Sequence, residues 1–140
     1  MKADLLTWIR WGVDCGMTTL IWLVQLIIYP AFAEIDPARF RAWHHRYMRS
    51  VSYIVMPLMF VQAGCILIQC LKDPRAEHWI AAAAVITAWG ATFIFSVPCH
   101  RRLQEGGNLT EWTNRLVATN WIRTLAWTLV LVAGLAARPF

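Results

Sequence analysis

The chain has 140 residues and a formal net charge of +5. Hydrophobic residues make up 59% of it and charged residues only 15%, below the roughly 25% that is typical of soluble domains. We therefore expect no separate soluble domain. The apolar residues form long blocks, which argues against a membrane β-barrel. The basic residues flank these blocks, where anionic lipid headgroups account for them, so we do not expect nucleic acid as a partner.

Four apolar segments follow one another along the chain, at residues 11–29, 51–71, 79–97 and 116–136. Each can cross a hydrocarbon core of about 30 Å at roughly 1.5 Å of rise per residue. The sequence therefore predicts an all-α, polytopic membrane protein in which residues 1–140 form a single four-helix transmembrane domain. We expect it in the bacterial inner membrane, with the lipid bilayer as its first partner. The sequence leaves open whether it also joins a homo-oligomer or a larger membrane complex.

The second and fourth helices are expected to project beyond the membrane on the same side. Asp36 followed by Pro37 is a strong helix start, because Asp caps free N–H groups and Pro fits the first helical position. This start predicts a second helix over residues 37–71. Residues 108–111, Asn-Leu-Thr-Glu, have the form of a capping box, which predicts a fourth helix over residues 109–136.

The positive charges predict an orientation. The loops after the first and third spans, with the helix starts beside them, carry eight arginines, whereas the opposite side carries five basic residues. Basic residues accumulate on the cytoplasmic side. Loops 30–50 and 98–115 are therefore predicted to be cytoplasmic, with both termini outside.

The two halves of the chain resemble each other. Pro30 and Pro98 lie 68 positions apart near the ends of two spans, and the Trp-x-x-Arg pattern at residues 43–46 recurs at residues 112–115. Two helices per half would keep the same orientation, so the sequence predicts a parallel repeat of residues 1–71 and 72–140.

Candidate metal ligands gather at the projecting end of the bundle, and they are His44, His45, His100 and Glu34. Imidazole and carboxylate suit iron, zinc or manganese. His44 and His45 point about 100° apart on a helix, so only one of them can face inward. The alternative is a set of interfacial histidines near lipid headgroups. The cofactor therefore stays open between a metal, a haem and none.

Arg123 is the most informative polar residue, because it lies inside the fourth span with Asn120 one turn earlier. A cation in the membrane usually faces the bundle interior or a water-filled cavity. We predict that Arg123, Asn120 and His100 act catalytically in a pocket near the cytoplasmic end. The alternatives are a structural hydrogen-bond network or an arginine that extends to the headgroups. Residues at similar depth are predicted to bind the substrate, and they are Gln25, Tyr29, Tyr53, Ser96 and Trp121.

The second half resembles the anthrone-oxygenase-like family of small four-span membrane proteins. The resemblance rests on Val97-Pro98-Cys99-His100-Arg101-Arg102-Leu103, on Trp112 and Arg115-Leu116, and on Asn120-Trp121-Ile122-Arg123-Thr124. It covers the third span's end and the fourth span, and the family often carries Asn near the position of His100. It implies the oxygenation of a polycyclic phenolic compound without an obvious cofactor.

Two functions follow as hypotheses. The first is a small oxidoreductase or oxygenase for an apolar aromatic or quinone-like compound, in which Arg123 and Asn120 hold an oxygen and His100 moves a proton or binds a metal. The second is a non-enzymatic structural or accessory subunit of a larger membrane complex, whose Trp-rich faces bind partner helices, lipids or pigments. A small transporter ranks below both, because the spans lack carboxylates placed to carry protons at mid-depth.

Overall fold

A computed structural model describes residues 4–137, and these residues are almost entirely helical. Four long helices follow in chain order: α1 (Leu5–Glu34), α2 (Pro37–Lys72), α3 (Ala76–Gln104) and α4 (Leu109–Ala136). Each is long and apolar enough to cross a membrane. The predicted all-α four-helix membrane bundle is therefore confirmed.

The predicted starts of α2 and α4 are confirmed. The side chain of Asp36 accepts a hydrogen bond from the backbone N–H of Ala38 at 2.9 Å. Asn108 accepts one from the backbone N–H of Glu111 at 3.0 Å. These side chains satisfy N–H groups that have no partner inside the helix. Both helices therefore begin at the expected residue, and α2 ends one residue later than expected.

Two wide turns interrupt the α-helical geometry, one in α1 and one in α3. Val24–Ile28 and Thr92–Ser96 are π-helical, and their first residues lie 68 positions apart, like Pro30 and Pro98, which follow them. A proline ring collides with the carbonyl group four residues earlier in a regular α-helix, and a π-turn relieves that collision. Helix α3 therefore continues beyond residue 97, where the span was expected to end, to Gln104. The spacing agrees with the predicted repeat, which stays a prediction.

The outer and inner surfaces of the bundle differ as expected for a membrane protein. Large apolar side chains are exposed on all four helices, for example Leu26, Phe60, Ile86 and Leu125. Such surfaces are suited to contact with a lipid bilayer. The inside holds an apolar core around the fully buried Trp127 and two buried polar clusters, both of which contact the Trp127 side chain.

The first polar cluster lies toward the end of the bundle that carries the N-terminus. Arg10 Nε donates to Asp14 Oδ2 at 3.2 Å, and Arg10 Nη1 donates to Gln69 Oε1. Gln62 Nε2 donates to Asp14 Oδ1 at 2.7 Å, and Trp127 Nε1 donates to Gln62 Oε1 at 2.9 Å. These bonds join α1, α2 and α4, so the cluster fixes how deeply the helices sit against one another.

Candidate functional site

The second polar cluster is built around Arg123, which is only 7% exposed. Its Nη1 donates to Asn120 Oδ1 at 2.9 Å, to Ser96 Oγ at 3.1 Å and to Tyr29 Oη at 3.3 Å. Arg123 forms no ion pair with an acidic side chain in the part of the chain that the structure describes. The guanidinium carbon lies 5.2 Å from the centroid of the Trp127 ring, a cation–π contact that offsets part of the cost of the charge. Because no carboxylate pairs with it among residues 4–137, the cluster still attracts an anion or a polarised oxygen.

Gln25 fixes the orientation of Asn120. Asn120 Nδ2 donates to Gln25 Oε1 at 2.9 Å, and Gln25 Nε2 donates to the backbone oxygen of Val117 at 3.1 Å. Thr124 Oγ1 adds a second donor to Gln25 Oε1 at 3.3 Å. Because the Asn120 amide nitrogen is occupied in this way, its oxygen is turned toward Arg123. Four of the predicted site residues are therefore brought together around Arg123: Gln25, Tyr29, Ser96 and Asn120.

Two histidines extend the cluster toward the end where α2 and α3 project. His100 Nε2 lies 3.0 Å from Tyr29 Oη, and His100 Nδ1 lies 2.9 Å from His44 Nε2. The side-chain amide of Gln104 contacts His44 Nδ1. His44 is fully buried and stacks on Phe40, with ring centroids 5.1 Å apart. A continuous hydrogen-bonded chain therefore runs from Tyr29 to Gln104.

Sequence reasoning missed Gln104. The available signal was its spacing, since residues four apart lie on the same face of a helix and Gln104 follows His100 by four. The expectation that only one of the two adjacent histidines faces inward is confirmed, because His44 is buried and His45 is exposed.

A cavity of about 160 Å³ lies between α2 and α3, next to Arg123. Most of its wall is apolar, whereas its polar residues are Tyr29, Tyr47, Ser52, Thr92, Ser96, His100 and Arg123. Met56, Phe93 and Val97 line it and are also exposed on the outer surface of the bundle. The cavity therefore opens toward the lipid. Arg123 Nε is buried and has no hydrogen-bond partner among residues 4–137.

Several predicted site residues lie elsewhere. Tyr53 is 76% exposed and does not line the cavity. Trp121 is 40% exposed and packs edge-on against Trp22, with ring centroids 5.7 Å apart. Both side chains point away from the bundle axis. A similar depth along the helices was therefore not enough to predict that a residue lines the cavity.

The four predicted metal ligands are not assembled in one place. Glu34 and His45 are exposed, whereas His44 and His100 are buried and bonded to each other. Over residues 4–137, no three His, Cys, Asp or Glu side chains form a group that could hold a metal ion. The geometry that the structure offers is a pair of imidazoles in series.

Comparison with known proteins adds no family assignment. No family model, no curated protein and no solved structure matches the chain. The resemblance to anthrone-oxygenase-like proteins therefore stays a prediction.

Proposed function

We propose that this integral membrane protein is a small oxidoreductase that takes a single-ring phenolic or quinone-like compound from the bilayer. The observation that carries the proposal is the position of Arg123, a buried cation beside an apolar cavity that opens to lipid. Its Nε has no hydrogen-bond partner among residues 4–137. A buried donor without a partner is costly, and the oxygen of a bound ring would supply one.

The size of the cavity selects the ligand. Its volume is about 160 Å³, and an apolar cavity of about 150 Å³ is sufficient for benzene. The cavity therefore matches a compound with one ring, whereas a three-ring compound exceeds it. This narrows the polycyclic substrate that the family resemblance implies to a monocyclic one.

The reaction is proposed from the same arrangement. Arg123 stabilises the oxygen of a phenolate more strongly than that of a neutral phenol, because charge develops there as the proton leaves. His100 lines the cavity beside Tyr29, which makes it the group that receives the proton. A hydroquinone would pass two electrons to dioxygen and release its two hydroxyl protons toward His100, while dioxygen would take up two protons from water, giving the quinone and hydrogen peroxide.

The membrane orientation is part of the proposal. Arg39, Arg41, Arg101 and Arg102 lie at the end of the bundle that contains His44 and Gln104. By the distribution of basic residues, loops 30–50 and 98–115 are cytoplasmic and both termini are outside, in a bacterial inner membrane. The cavity would then deliver protons to the cytoplasmic end.

Filling the cavity tests the proposal. Val55 lines the cavity, whereas the neighbouring Ile54 is 58% exposed on the lipid side. Trimethylhydroquinone binding to nanodisc-embedded protein should weaken at least about tenfold in Val55→Trp, a change of about 1.4 kcal/mol. Ile54→Trp is the matched control and should bind like the wild type. Equal binding by the two variants would overturn the cavity as the ring site.

Oxygen consumption tests the reaction separately. With trimethylhydroquinone, the wild type should consume dioxygen faster than lipid alone, and Val55→Trp should lose that increment. If the protein binds trimethylhydroquinone but does not consume dioxygen, the proposed oxidoreductase activity is wrong and the protein only binds the ring. Absence of both would favour the structural or accessory subunit.

A further inference from the structure

We propose that Tyr29, His100 and His44 form a proton relay that connects the ring-binding cavity to the water-facing end of the bundle, and that Gln104 closes its outer end. The relay rests on the proposed function for its proton donor, a phenolic ring in the cavity. Its geometry can be tested without that ring.

The contacts form an unbroken path. Tyr29 and His100 line the cavity, whereas His44 does not and lies farther along the path. The successive separations are 3.0 Å from Tyr29 Oη to His100 Nε2 and 2.9 Å from His100 Nδ1 to His44 Nε2. Both are ordinary hydrogen-bond lengths. Each of these groups can donate a proton on one side while it accepts one on the other, as a relay requires.

The outer end of the path reaches the water-facing end of the bundle. Gln104 is half-buried and contacts His44 Nδ1. The exposed Arg41 donates from Nε to the backbone oxygen of Gln104 at 2.9 Å, which ties the end of α3 to α2. Phe40 and Phe32 pack against His44, with ring centroids 5.1 Å and 5.5 Å away. The imidazoles are therefore held in line, and the exit lies beside the half-buried amide side chain of Gln104.

The contact between the imidazoles allows two arrangements of the protons. If His44 Nε2 carries its proton, His100 Nδ1 must accept it, and the proton of His100 is then on Nε2. If His100 Nδ1 carries its proton, His44 Nε2 must accept it, and the proton of His44 is then on Nδ1. Both neutral histidines are therefore the same tautomer in either arrangement.

Gln104 can follow both arrangements. Its amide donates to His44 Nδ1 in the first arrangement and accepts from it in the second, after the nitrogen and oxygen of the amide exchange places. A half-turn of the Gln104 side-chain amide therefore accompanies the change of both histidines from one tautomer to the other.

The proton balance is simple. The O–H bond of the ring breaks and its proton binds Tyr29 Oη, while the Tyr29 proton passes to His100 Nε2. The proton on His100 Nδ1 passes to His44 Nε2, and the proton on His44 Nδ1 leaves to water once the Gln104 side chain turns away from it. The ring stays behind as a phenolate beside Arg123, and no electron moves. Reprotonation of the ring anion by the reverse path restores the starting tautomers, with the proton on Nδ1 of both histidines.

Nitrogen NMR of the ligand-free protein tests the geometry. With ¹⁵N-ring-labelled histidine, the signals of His44 and His100 should show the same tautomer, and exchange between the two forms should shift both together. His45→Gln and His78→Gln identify the two remaining histidine signals by difference. Opposite tautomers for His44 and His100 would overturn the relay.

The rate of phenolate formation tests the function. In stopped-flow absorbance with trimethylhydroquinone, His44→Gln should slow phenolate formation at least about tenfold, since a positioned proton-transfer group contributes roughly 10²–10⁴-fold. The affinity should stay unchanged, because His44 does not line the cavity. His45→Gln replaces the adjacent exposed imidazole, and it should react like the wild type.

The outcomes separate this proposal from the proposed function. An unchanged rate in His44→Gln, with normal binding, would overturn the relay and leave the ring site intact. If His44 and His100 show the same tautomer but the wild-type protein does not bind trimethylhydroquinone, the relay is supported and the phenolic substrate is overturned.

Discussion

Replacing Arg123 with methionine separates a binding role from a structural one. An arginine at the centre of a membrane helix costs about 2.5–3.5 kcal/mol on insertion scales. Nη1 has two hydrogens for its three acceptors, and two charged hydrogen bonds at about 1.5 kcal/mol each return roughly 3 kcal/mol. Two of the acceptors, Tyr29 Oη and Ser96 Oγ, are hydroxyl groups that can donate elsewhere. The contact of the guanidinium with the Trp127 ring, 5.2 Å from its centroid, adds about 0.5–2 kcal/mol. The free energy of unfolding of Arg123→Met should therefore stay within about 2 kcal/mol of the wild type.

Ring binding should respond differently from stability. Loss of a charge-assisted hydrogen bond of about 1.5–3 kcal/mol weakens trimethylhydroquinone binding roughly 10- to 100-fold. Unfolding by SDS and equilibrium binding would be measured on the same preparation. Arg115→Met is the matched control, since Arg115 is exposed on the same helix and lies over Trp112 at 5.3 Å. A loss of about 3 kcal/mol or more in Arg123→Met would match the removal of a buried structural partner and refute this reasoning.

Two further predictions concern packing and pH. A Cβ atom at Gly134 would lie 2.9 Å from Asp14 Oδ2, whereas one at Gly64 would meet nothing within 4 Å. Overpacking costs about 1–3 kcal/mol, whereas replacing Gly by Ala in a helix gains about 1 kcal/mol in helix propensity. Thermal unfolding should therefore show that Gly134→Ala is less stable than Gly64→Ala. Equal stability of the two variants would contradict the tight contact at Gly134. Hydrogen bonds from the backbone N–H and then the hydroxyl of Thr7 lower the pKa of Asp4 below its usual value of 3.8. The stability that this cap contributes is therefore fully present above pH 3.8, and it is lost as the pH falls through the lower pKa of Asp4 in the folded protein. The amide resonance of Thr7 should follow that titration. The pH dependence of this resonance should disappear in Asp4→Asn.

Depth along the membrane could be read from the sequence, because each helical residue adds about 1.5 Å. Counting from the helix ends placed Gln25, Tyr29 and Ser96 at the level of Arg123, and all three belong to its network. The direction of a side chain around its helix could not be read in the same way. Tyr53 has the right depth but is 76% exposed, since α2 buries the face that carries Met59, Gln62 and Ile66.

The helix starts were predictable because their causes are local. A cap such as Asn108 acts on an N–H group three residues away, so the sequence contains the whole interaction. The contact between His44 and His100 joins residues 56 positions apart. A pairing of these two histidines could be proposed from their side chains and from their position on the same side of the membrane. The orientation of the two rings, with Nε2 of His44 facing Nδ1 of His100, depends on how α2 and α3 pack.

The π-turns show why one site forms in a bundle whose halves share a backbone feature. The turn at residues 92–96 precedes Pro98, and the helix continues far enough to place His100 inside the bundle. The equivalent turn in α1 leads instead to Phe32, 68 positions before His100, which is also fully buried. His44 has Thr113 as its counterpart by the Trp-x-x-Arg spacing. Each half therefore supplies one imidazole, whereas the equivalent positions in the other half carry Phe32 and Thr113, which cannot transfer a proton as an imidazole does. The path from the cavity therefore runs through one His from each half, and it is present once per chain.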